Sequence, residues 1–247
     1  MRSERDRAGI VKATPLRPFF CFFGGKWRVA PHYPAPEHAR IVEPFAGAAG
    51  YATRYHDRAV TLIEIDPVIA GLWRYLTKVT ESEILSLPIV VESVPALAVC
   101  AEAKSLIGFW VNKGSSSPCN VPSAWMRGGM RPKSYWGEEI RARIASQVGK
   151  IRHWRIIEGS YADLPESENS SSTWFVDPPY QVQGRHYRFS SVDYPHLAAW
   201  SRARVGNVIA CEQAGASWLP FEPFRSIKSN NATRTSAEVV CYLRSAA

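Results

Sequence analysis

The chain has 247 residues, enough to bury one substantial core with a smaller insertion but too few for two large independent domains. Its net charge of +8 comes with 12% aromatic residues, nine Trp among them, which excludes a disordered or low-complexity chain and favours a polyanionic partner. Five scattered cysteines (Cys21, Cys100, Cys119, Cys211 and Cys241) form no C-x-x-C pair and have no histidine at metal-ligand spacing. They read as reduced thiols in a cytoplasmic protein without a structural metal.

Residues 1–15 read as a flexible basic arm. MRSERDRAGIVKA lacks the apolar run of a signal peptide. Short apolar runs then alternate with turns and helical patterns: RIVEPF, VTLIEID and a helix starting near Pro67. After a long interruption come WRIIEG, TWFVDPP, GNVIACE and EVVCYL. Buried strands alternating with helices predict an α/β fold, a Rossmann-like, mostly parallel sheet with helices on both faces, built from 16–80 and 151–247.

Residues 81–150 break this rhythm and read as an inserted lobe, with the loop-like SSSPCNVPSAWMRGGMRPKSYWG in its middle. Residues 104–155 carry ten Lys or Arg against two Glu. Ile140, Ile144 and Val148 form an apolar stripe that predicts a helix docked on the core, whereas Trp125 and Trp136 are hard to assign to a core. The most apolar stretch, 84–110, is cut by Pro88, Glu92 and Pro95, which predicts no membrane span.

The sharpest motif is Asp177-Pro178-Pro179-Tyr180 after the strand TWFV. It puts a carboxylate at the carboxyl end of a strand, where open α/β sheets bind ligands. Two prolines fix φ twice and withhold N–H donors, so the carbonyls project rigidly. Adenine's amino nitrogen is a poor nucleophile because its lone pair is delocalised. Acceptors at the Asp177 side chain and the Pro178 carbonyl would hold that amine, and Tyr180 would stack on the base. The competing reading is an ordinary strand-ending turn in which Asp177 caps a helix.

Glu43-Pro44-Phe45-Ala46-Gly47-Ala48-Ala49-Gly50 lies between a strand and a helix, where small residues let backbone approach a cofactor. The next strand ends in Glu64 and Asp66, matching an acid that accepts ribose hydroxyls. The run G-A-A-G departs from the dinucleotide pattern G-x-G-x-x-G. S-adenosylmethionine, which has no phosphate, fits that departure. A Gly-rich turn in another α/β protein is the alternative.

In this order the motifs resemble the Dam-type, alpha-group adenine-N6 DNA methyltransferases, over about residues 18 to 243. The resemblance implies an S-adenosylmethionine-dependent transfer of methyl to adenine in duplex DNA, by a monomer with no obligate protein partner and no metal. FFGGKWRV resembles the family's opening element, which implies that Phe22, Gly24, Gly25 and Lys26 line the methionine side of the cofactor. Glu43, Pro44, Phe45 and Gly47 belong to the E-P-F turn. Glu64, with Ile65 beside it, aligns with the ribose-binding acid. Ser160 and Tyr161 flank the cofactor's adenine, with Asp163 as a turn cap, and Asp177 closes the site.

FWVNK, with Asn112 and Lys113, and the loop residues Arg127, Arg131 and Lys133 are implied to lie along the nucleic acid. The loop QVQGRHYRFSSVDYPHL is implied to close over a flipped base with Arg185, Tyr187 and Arg188. A general-base role for His186 is the weaker reading there. An RNA adenine methyltransferase, a cytosine-N4 enzyme and a DNA-binding module with a vestigial fold are the rivals. Use in restriction-modification or phage self-protection stays open.

Overall fold

The computed structural model describes residues 13–129, 132–182, 187–228 and 235–245. Seven strands form one sheet in the order β3-β2-β1-β4-β5-β7-β6. They are β1 (Arg40–Glu43), β2 (Ala59–Glu64), β3 (Arg155–Glu158), β4 (Ser172–Val176), β5 (Gly206–Gln213), β6 (Glu222–Lys228) and β7 (Thr235–Arg244). The first five run parallel, and β7 is antiparallel to both β5 and β6. The architecture is therefore α/β with a mostly parallel mixed sheet, as the alternating runs predict.

Strand periodicity divides the apolar residues between two faces. On one face Ile41, Leu62, Phe175, Ile209 and Val240 join the larger core; on the other, their neighbours Val42, Ile63, Trp174, Val208 and Cys241 join the smaller one. Helix α1 (Pro67–Leu76) covers the first face with Ile69, Leu72, Trp73 and Leu76. Its start is encoded locally: Asp66 accepts the Val68 N–H at 2.9 Å, and Pro67 occupies the first turn, where a missing N–H costs nothing. The second face is covered by a helix over Tyr194–Arg202, which buries Leu197, Ala198 and Trp200 and is capped by Asp193.

The described buried apolar residues of 81–150 join the core of the sheet. The segment holds α2 (Glu81–Ser86), α3 (Ala101–Val111), α4 (Ala124–Arg127) and α5 (Glu138–Val148), so the helix over Tyr194–Arg202 is α6. Ile84, Leu106, Phe109 and Trp110, together with the expected stripe Ile140, Ile144 and Val148, enter the same core as the sheet. Trp136, hard to place from sequence, is 3% exposed, and its Nε1 donates to the Pro88 carbonyl at 2.7 Å. Trp125 remains 61% exposed. Part of the basic charge over 104–155 holds backbone: Arg141 donates to Leu87 O, Arg143 to Pro18 O, Arg152 to Lys78 O and Val79 O, and Lys104 to Pro95 O. Among the described residues no helix is long and apolar enough to cross a membrane.

Candidate active site

The strand order reverses between β1 and β4, and a cleft opens at the carboxyl ends of these strands, the usual place for a ligand in a doubly wound sheet. It encloses about 990 Å³ counting its open mouth. Every residue singled out for the cofactor, from Phe22 through the E-P-F turn to Glu64, Ile65, Ser160, Tyr161 and Asp177, lines it. So do Pro179, Tyr187 and Arg188.

The turn after β1 is built by backbone constraints. Gly47 has φ 45° and Ala49 has φ 47°, left-handed values that are free for glycine but cost an alanine about 1 kcal/mol. The Gly47 N–H donates to Glu64 Oε2 at 2.9 Å, and Asp66 N–H donates to Glu64 Oε1 at 2.9 Å. Glu64 thereby ties the first two strand ends together. Each of its oxygens has a second lone pair for a ligand hydroxyl. Burial raises its pKa, with the Asp66 and Gly47 amides pulling the other way. Asp66, the other acid of LIEID, is committed to capping α1.

Glu43 lies deeper, 2% exposed, with Oε1 accepting the Ala52 N–H at 2.6 Å. Burial pushes its carboxyl up to about 8, against the backbone bond from Ala52, and the charge of Asp177 adds to the rise.

Lys26 opens a 3-10 turn over Lys26–Arg28 and is 5% exposed. Its Nζ is 2.8 Å from Asp177 Oδ1, donates to Asp177 Oδ2 at 2.9 Å and to the Gly24 carbonyl at 3.0 Å, and stands 4.9 Å above the Tyr180 ring. Burial works to lower its pKa, but Asp177, then Tyr180 and Glu238, outweigh that and hold it well above the usual lysine value. Asp177 is raised by burial and pulled back by Lys26. Its Oδ1 is buried within ion-pair reach of the ammonium, yet no hydrogen bond of acceptable geometry reaches it. The family resemblance implies a cofactor-facing Lys26; the fold makes it the partner of Asp177.

Gly50 permits this arrangement. A Cβ there would fall 2.6 Å from Trp27 N and 2.9 Å from Lys26 backbone atoms. Gly50→Ala is expected to push the Lys26 turn off the sheet and cost about 1–3 kcal/mol, read as a lower melting temperature. An unchanged melt would show that the contact is slack.

Around the rim, the Phe22 ring packs against Phe109 and Tyr187, at 5.9 Å between centroids in each case. Phe45 and Tyr161 lie 5.2 Å apart, and the Tyr161 hydroxyl is 3.1 Å from His196 Nδ1. Ser160 and Asp163 form a capping box on the 3-10 turn Tyr161–Asp163, so Asp163 has the capping role read from sequence. Tyr187 O–H donates to Phe23 O at 3.4 Å, and Arg188 is 3.9 Å from Asp66 Oδ1. Pro178 is buried at the base of the motif.

Other candidates lie apart from the cleft walls. Asn112 caps the end of α3. Lys113 is over the Trp110 and Tyr135 rings, Arg127 donates to Pro122 O, and the exposed Lys133 pairs with Glu139 at 2.9 Å. Arg131, Arg185 and His186 lie outside the described residues. Sequence reasoning missed Tyr33 and Glu238, which meet beneath Tyr180. No family model matches the chain, and no curated protein matches it.

Proposed function

We propose that this protein transfers a methyl group from S-adenosylmethionine to the exocyclic amino nitrogen of adenine in DNA. The observation that carries the reading is the meeting of the E-P-F turn, the acid of β2 and the D-P-P-Y carboxylate at the switch point of one sheet. The charge of the cleft fits the cofactor. With Glu43 holding its proton near neutral pH, Glu64, Asp66 and Asp177 still outnumber Lys26 and Arg188 along its walls, a balance that disfavours a pyrophosphate and suits a sulfonium with an α-ammonium group. Phe22, Phe45 and Ile65 supply apolar walls, and Glu64 has spare lone pairs for ribose hydroxyls.

When bound, the cofactor supplies an electrophilic methyl group. The Asp177 side chain, 19% exposed and lining the cleft, has the capacity to accept a hydrogen bond from the adenine amine, beside the rigid Pro178 carbonyl. Lys26 opposes the burial that raises the Asp177 carboxyl and so favours its ionised form. Holding the amine in line with the methyl carbon supplies most of the rate, and extruding the base from a duplex costs a few kcal/mol, offset by stacking on aromatic side chains. The +8 net charge favours a polyanionic acceptor, and five free cysteines fit a reducing cytoplasm.

The test is incubation with methyl-labelled S-adenosylmethionine and, separately, unmethylated duplex DNA or structured RNA, followed by nucleoside mass analysis. The expected product is N6-methyladenine in DNA. Label confined to RNA would change the acceptor polymer, and label on cytosine would change the base. A protein that neither binds the cofactor nor transfers label would overturn the reading.

A further inference from the structure

Because β7 runs antiparallel to β5, its first residues lie at the edge of the sheet where the parallel strands end. That topology carries Glu238, opposite Gln213 of β5 and Arg225 of β6, to the underside of the D-P-P-Y motif. Glu238 is 7% exposed and makes no ion pair within 4 Å among the described residues. Its Oε2 accepts the Tyr33 hydroxyl at 3.1 Å, and its Oε1 accepts the Tyr180 hydroxyl at 3.5 Å. Tyr33 is fixed in the core, stacked on Phe224 at 4.6 Å and edge-on to Phe175 at 5.2 Å. Tyr180 carries the ring under Lys26 Nζ.

A buried carboxylate used only as filler is a poor solution, since an apolar side chain of similar volume avoids the desolvation cost. This one joins one tyrosine anchored in the core to another in the motif.

We propose that Glu238 is a positioning residue that ties Tyr180 to the core through Tyr33 and so fixes the Tyr180–Lys26–Asp177 arrangement. Its kinetic consequence rests on the methyltransferase reading; its structural consequence does not. Glu238 does not line the cleft and acts through Tyr180. Burial raises its carboxyl, with the Lys26 charge opposing and that of Asp177 adding, so it is sensitive to the same charges as the site.

The test uses the full chain labelled with 3-fluorotyrosine, the Tyr180 fluorine signal being assigned by its loss in Tyr180→Phe. Glu238→Ala is expected to shift and broaden that signal, and Glu238→Gln, which keeps the shape and one acceptor, to return it toward the wild-type position. A Tyr180 signal unmoved by Glu238→Ala would overturn the proposal. In turnover, Glu238→Ala should lower kcat about tenfold with the S-adenosylmethionine Kd unchanged within about twofold. Tyr180→Phe in the Glu238→Ala background should then add little, because both changes break one contact. Additive losses, or failure of Glu238→Gln to rescue a folded protein, would make Glu238 a packing residue only. A wild-type protein without turnover whose fluorine signal responds as expected would count against methyl transfer and leave the positioning role standing.

Discussion

Asp177→Ala is expected to stop methyl transfer and to destabilise the fold by about 3–5 kcal/mol, because it leaves the buried ammonium of Lys26 without its counter-charge. The Gly24 carbonyl, the face of Tyr180 and the more distant charge of Glu238 would remain to it. For a chain of this size the loss corresponds to a fall of roughly 10 °C in melting temperature. Lys26→Met in the same molecule removes the stranded charge and is expected to restore most of the stability while transfer stays absent. Asp177→Asn keeps the shape and one acceptor, so it should melt between the two and lose about 10²–10³ in turnover. Melting curves and label incorporation on the four proteins separate the roles. If Asp177→Ala melts like the wild type, the Lys26–Asp177 pair has no structural weight. If Asp177→Asn turns over at the wild-type rate, the carboxylate is not the group that holds the amine.

What could be read from sequence follows from where each signal comes from. RIVE, VTLIE and STWFV were legible because residues buried on both faces of a sheet must be apolar in succession. Glu43 to Gly47, Glu64, Ile65, Ser160, Tyr161 and Asp177 were legible because each belongs to a short motif at the end of a parallel strand, and the sheet brings those ends together, whereas Phe22 to Lys26 precede β1 and were legible only through the family resemblance. β6, EPFRSIK, gave no such signal. It is an edge strand with one neighbour, so it tolerates Pro223 and charged residues, and its register slips between Pro223 and Arg225.

Glu238 was equally silent. A single acid before an apolar run carries no mark of its target, and only the antiparallel placement of β7 brings it under Tyr180. The basic count over 104–155 includes side chains whose donors are already used within the fold. Arg141, Arg143 and Arg152 satisfy carbonyls that helix ends and loops leave without partners, and composition does not distinguish such residues from phosphate contacts.

Stability should fall as pH rises from about 4.5 to about 8, and Glu43→Gln should flatten that slope. Glu43 titrates at 4.5 in the absence of the fold and near 8 within it, so the folded state holds the proton more tightly. The stabilisation is complete below pH 4.5 and is lost as pH passes through the folded value. At 1.36 kcal/mol per unit the window spans on the order of 5 kcal/mol. Glu168, whose carboxyl is lowered by Arg155 and Arg40, works in the opposite sense at the acid end, where its protonation loses both partners. The two limbs together put the maximum in mildly acid solution.

The amide introduced by Glu43→Gln keeps an acceptor for the Ala52 N–H and has no charge to bury, so the variant should melt close to the wild type near pH 5 and above it at pH 8 and beyond. Parallel melting profiles for the two proteins across that range would assign the slope to other acids. Cofactor binding gives a second, independent sign. A sulfonium in the cleft favours the ionised form of Glu43, so S-adenosylmethionine binding to the wild type near pH 7 should show a difference in heat between buffers of different ionisation enthalpy, the mark of proton release. Glu43→Gln should lose most of that difference, because the proton that binding expels is no longer there.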